Sequence, residues 1–171
     1  MCISVFARKA KHTDIKRDVK ENDMGDNALR REVTMKITGT IFNEDEREEN
    51  LELITEGDLY RKGDNLYLIY DEGEMEGFLG CKIRLKISED AVKMKRFGEN
   101  IAVDTEISFE KGKRFTGFYD TPIGPVEMEV LTNDIKNSLT FDKPGDIDID
   151  YVISLKGLFT EARNKLNIKV M

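Results

Sequence analysis

Few residues in this sequence have the types and spacing that site chemistry requires. Histidine occurs once, at His12, near the N-terminus. A Ser/His or Cys/His nucleophile, or a histidine-based zinc site, therefore has no imidazole to draw on in the bulk of the chain. Asp146, Asp148 and Asp150 alternate with isoleucines, so their carboxylates share one face of a strand. Hard cations take clustered carboxylate oxygens, but this run lacks the glycine turn that folds such ligands around an ion. A solvated strand face is the expectation, and the same holds for Glu44–Glu49 and for Glu72, Glu74 and Glu76. No Gly-rich phosphate loop leads into a helix. No metal, no cofactor and no catalytic set are expected.

Arg96 stands apart. It shares strand parity with Val92 and Met94, which turns its guanidinium toward the interior. A buried Arg needs a partner, because an unpaired charge in a low dielectric is costly. It would anchor the carboxylate or phosphate of a ligand, or serve as a structural tie to strand carbonyls or an acidic side chain. The structural tie is the preferred reading. Tyr119 poses the same choice, a hydroxyl offered to a ligand or an aromatic packed with its OH satisfied by backbone, and packing is preferred. With Met94 and Met128, which share the inward parity of their strands, Arg96 and Tyr119 form the candidate ligand-binding set.

The element that organises their surroundings is residues 114–132. Val126, Met128 and Val130 point one way and Glu127 and Glu129 the other, the alternation of a half-buried strand. The corner Thr121-Pro122-Ile123-Gly124-Pro125 reverses the chain between two antiparallel strands. The same unit recurs along the chain. Val33, Met35, Ile37 and Ile41 share a face; Leu51, Leu53 and Leu59 line a second strand; Lys62-Gly63-Asp64-Asn65 turns it into a third carrying Leu66, Leu68 and Tyr70. Cys81, Ile83, Leu85 and Ile87 alternate with Lys82, Arg84 and Lys86, and a fifth strand spans Ala91 to Phe97. A sixth is expected to place Ile101, Val103, Ile107 and Phe109 inward. After Thr132 the period breaks, so 133–146 reads as a long loop before strands at Ile147–Leu155 and Leu166–Val170. About ten strands in hairpin order predict an all-β, antiparallel up-and-down barrel, since closure removes exposed edges.

Length and composition agree with this picture. A chain of 171 residues fits one domain and needs no disulfide or metal to build a core. Residues 1–31 show no sustained period and read as a flexible charged extension with eight basic and five acidic residues, leaving 32–171 as the barrel. The barrel segment then keeps 19 basic against 29 acidic residues, a balance of −10. Such a body repels phosphate backbones, which argues against nucleic acid as the main partner. Cys2 and Cys81 are the only cysteines and read as reduced thiols, giving a cytoplasmic address. No stretch approaches a membrane span. A chain starting at Glu32 is expected to melt within a few degrees of the full one.

Arg96-Phe97-Gly98, the spacing on to Tyr119-Asp120-Thr121-Pro122-Ile123-Gly124, then Glu127-Met128 with Thr132 and Ile135, resembles the small bacterial YwiB-like proteins, a family of unknown function. The resemblance covers roughly residues 33–171. It implies a calycin-like, lipocalin-like antiparallel barrel of 8–10 strands, and no activity comes with it. On fold analogy the leading reading is a non-enzymatic binding module for a small, partly apolar or anionic ligand held in the barrel. The second is an interaction or structural barrel filled by its own side chains. The third is an enzyme using carboxylates, Lys or Tyr at the barrel mouth. The residues point away from the third, and they leave the oligomeric state open.

Overall fold

Alternating apolar and polar residues bury one edge of each strand's pleat and wet the other, and ten strands follow from that pattern. A computed structural model describes residues 28–42, 48–72, 81–98, 104–121 and 124–171. The strands are β1 (Leu29–Phe42), β2 (Glu48–Lys62), β3 (Asn65–Asp71), β4 (Cys81–Ile87), β5 (Ala91–Gly98), β6 (Thr105–Glu110), β7 (Arg114–Thr121), β8 (Gly124–Asn137), β9 (Gly145–Leu155) and β10 (Phe159–Val170). They form one antiparallel sheet in the order β6-β5-β4-β3-β2-β1-β10-β9-β8-β7. Pairing of the first strand with the last, Met35 opposite Val170 and Phe42 opposite Arg163, rolls the sheet round on itself. β6 and β7 then lie side by side without a ladder among the described residues, bridged by the Asp120 N–H donating to Thr105 Oγ1 at 3.4 Å. The barrel is nearly closed, as the all-β reading required.

The 114–132 hairpin forms with Tyr119 opposite Val126 and Thr121 opposite Gly124. Gly124 takes φ 110°, a conformation that side chains with a Cβ rarely adopt. Inward residues of all ten strands meet in one hydrophobic core, where the rings of Phe109 and Tyr151 lie 5.0 Å apart. One barrel end is covered by 138–144. Leu139 is buried there, and the guanidinium groups of Arg31 and Arg61 lie 5.9 and 5.0 Å from the Phe141 ring centroid.

Two expectations change, and a third falls partly outside the described residues. β1 opens at Leu29 rather than beyond Arg31, because Arg30 forms a two-point bond to Asp58 (2.9 and 3.0 Å) and lies over the Tyr60 ring. The rest of the extension, with His12 and Cys2, lies outside the described residues. β8 does not stop at Thr132 but continues to Asn137 through an irregularity between Thr132 and Asp134. An extra residue there shifts the inward parity from Thr132 to Ile135, so a continuous strand reads as a broken period. β6 is described over Thr105–Glu110, with Ile107 and Phe109 inward as expected, and Ile101 and Val103 lie outside the described residues.

Candidate functional site

Strand register assembles the first candidate site. Val33, Gly57, Tyr70, Ile83, Arg96 and Thr105 stand opposite one another in turn across β1 to β6, forming one inward row. Parity therefore carries Arg96 into the barrel, as expected. Its partner is Glu72, one residue beyond β3, whose N–H extends the β3–β4 ladder to the Cys81 carbonyl at 3.0 Å. Arg96 Nε donates to Glu72 Oε2 at 2.7 Å, and the two side chains are only 5% and 1% exposed. The expectation that Glu72 lies on a solvated face is thus corrected. Glu72 continues the parity of Leu68 and Tyr70, and that alternation was the available signal. Arg96 Nη2 also reaches Cys81 Sγ at 3.8 Å.

Electrostatics keep this cluster quiet at neutral pH. Burial works against the Arg96 charge, but the attraction of Glu72, then the field of Tyr119 and the hydrogen bonds, outweigh it and raise its pKa. Burial pushes the Cys81 thiol up, and the nearby Arg96 only partly offsets it. Burial likewise pushes the Tyr119 phenol well above its ordinary value against the pull of Arg96. Thiol and phenol both remain protonated, and neither is an activated nucleophile. Met94, Tyr119 and Met128 all belong to the continuous core, so the structure brings the four sequence-derived residues into one packed interior.

The acidic runs hold no metal-type cluster among the described residues. Asp150 instead accepts two bonds from Arg163 (3.1 and 2.6 Å) and one from Asn133, and Asp148 accepts from Asn167.

The second candidate site lies on the outer face of β3–β6, and sequence reasoning missed it. Tyr67, Lys86, Lys93 and Ser108 stand opposite one another in one row, and Ile69, Arg84, Lys95 and Glu106 in the next. All of these but Ile69, together with Lys62, Met94 and Phe115, line a groove of about 370 Å³. Lys95 is engaged by Asp104 at 2.9 Å and Glu106 at 3.4 Å. Lys86 lies 6.0 Å from the centre of the Tyr67 ring. The signal was legible only as two adjacent runs, Lys82/Arg84/Lys86 and Lys93/Lys95, joined by a short turn.

A nearly closed ten-stranded antiparallel barrel with a packed interior and a basic outer groove defines the class of protein. Residues 35–168 match the family described as "Domain of unknown function (DUF1934)", and the chain belongs to that family. It is also similar to a solved structure, the ywiB protein from Bacillus subtilis, at 27% identity and a TM-score of 0.69, covering 82% of this chain and 91% of that one. No curated protein matches. Among the described residues no helix is long and apolar enough to cross a membrane.

Proposed function

We propose that this protein is a non-enzymatic binding module of calycin-like build that meets its partner on the outside of the barrel. The observation that carries this reading is the packed interior. The cation best placed to anchor an internal ligand, Arg96, is already bonded to Glu72, and Met94 and Met128 sit in the core with their neighbours. An internal carrier would need to open that core and replace the carboxylate of Glu72. The packing therefore favours a barrel filled by its own side chains over one holding a small apolar molecule against Arg96, Tyr119, Met94 and Met128. The reduced state of buried Cys81 is compatible with a cytoplasmic address.

Methyl-labelled methionine reports on the two readings. Titration with a medium-chain fatty acid should leave the Met94 and Met128 signals in place. Saturable shifts of both methyls at micromolar ligand would overturn the outer-surface reading in favour of an internal site.

A further inference from the structure

We propose that the groove on β3–β6 binds a small polyphosphorylated ligand. The proposal rests on the outer-surface reading above and gives that surface a chemistry. Two successive cross-strand pairs in it are like-charged, Arg84 opposite Lys95 and Lys86 opposite Lys93. Like charges placed directly opposite each other on a sheet are unfavourable, so this arrangement works against the folded protein. Asp104 and Glu106 offset Lys95, which leaves Lys86 opposite Lys93 as the pair that carries the argument. Lys62, Lys86 and Lys93 carry no salt bridge among the described residues, although acids outnumber bases in the barrel segment by ten.

A multiply charged anion lying along the row would relieve this repulsion. Adjacent strands are spaced about 4.8 Å apart and same-face residues along a strand about 6.8 Å apart. Lys86 and Lys93 thus stand at a separation on the scale of neighbouring phosphate groups, and Lys62 borders the same groove. Lysine ammoniums suit phosphate oxygens as point charges. The Tyr67 ring at one side of the groove offers a stacking face to a planar group on the phosphate chain. A long polyanion fits poorly, because beyond the groove it would run over an acidic body. A groove of about 370 Å³ matches a small molecule.

The shared chemistry is a chain of phosphates, carried either as an inorganic polyphosphate or on a nucleoside. Calorimetric and NMR titrations of the full chain, at about 0.15 M salt, would use inorganic tripolyphosphate and adenosine triphosphate as separate probes. One saturable site is expected, with amide shifts centred on Lys86 and Lys93. Tighter binding of the nucleotide would identify the nucleoside form, and equal binding the inorganic chain. The Lys86→Gln/Lys93→Gln double variant should lose at least about tenfold in affinity, while Lys136→Gln on β8 should lose none. In the ligand-free state the double variant should melt at or above the wild-type temperature, since a repulsive pair has been removed. Absence of saturable binding, binding undiminished in the double variant, or a ligand-free melt well below wild type would each overturn the proposal. Met94 also borders the groove and Met128 does not, so an unmoved Met128 signal keeps the test of the outer-surface reading separate.

Discussion

Arg96 and Glu72 show how a single residue is held by what it would lose. Removing one member of a buried ion pair leaves the other charged and unsolvated, which costs about 3–5 kcal/mol. Arg96→Met should therefore lower urea stability by that order, and Arg96→Met/Glu72→Leu should recover most of the loss. An Arg96→Met protein as stable as wild type would show that the pair contributes little to folding. The neighbouring Cys81 and Tyr119 set the alkaline limb. Their folded pKa values are raised above the ordinary 9.0 and 10.0, so the unfolded chain releases these protons first. Their contribution to stability is fully present below about pH 9 and is lost as pH rises through the folded values. The melting temperature should fall steadily above pH 9, and Tyr119→Phe should flatten that fall. An unchanged slope in Tyr119→Phe would remove Tyr119 from the account.

At the scale of the element, β1 and β2 are the longest-paired strands, from Leu29 opposite Arg61 to Phe42 opposite Glu48. The approach of β3 to β2 depends on Gly57. A Cβ there would lie 2.4 Å from the Ile69 carbonyl oxygen and 2.8 Å from the Met35 terminal methyl. The first of these is backbone and cannot rotate away. Gly57→Ala should cost about 1–3 kcal/mol or more, whereas Gly112, with open space around it, should cost only about 1 kcal/mol through its positive φ. Equal losses in denaturant melts would refute the steric account. The first residues of β1 matter too. A chain starting at Glu32 should melt several degrees below one starting at Ala28, because it lacks the Arg30–Asp58 pair and the Arg31 contact with Phe141. This reverses the expectation that everything before Glu32 is dispensable, and indistinguishable melts would restore it.

Across the whole molecule, closure is uneven. The β1–β10 seam is a full ladder made by the two most distant strands in the sequence, while β6 and β7 touch without one. Amides of β6 and β7 that face the gap should exchange with solvent faster than those of the β1–β10 seam, since only the latter require the ladder to open. Equal protection measured by hydrogen exchange would mean that the gap is hydrogen-bonded in solution. Folding should also be slow for a chain of this size, because the closing seam brings together residues more than a hundred positions apart.

Period-two alternation was enough to determine the all-β class, most strand positions and the inward turn of Arg96, because parity is a local property of the backbone. Where one extra residue shifted parity, at Thr132–Asp134, the same local signal misled and β8 read as a loop. The sequence also could not say which carboxylate would meet Arg96. Many acids were available, and the choice of Glu72 depended on β3 and β4 pairing one rung beyond Asp71. The basic groove is the sharper case. Lys62, Arg84, Lys86 and Lys93 are unremarkable polar-face residues in their own strands. Only the cross-strand register of β3 to β6 sets like charges opposite one another, and register is a property of the closed sheet rather than of any single stretch.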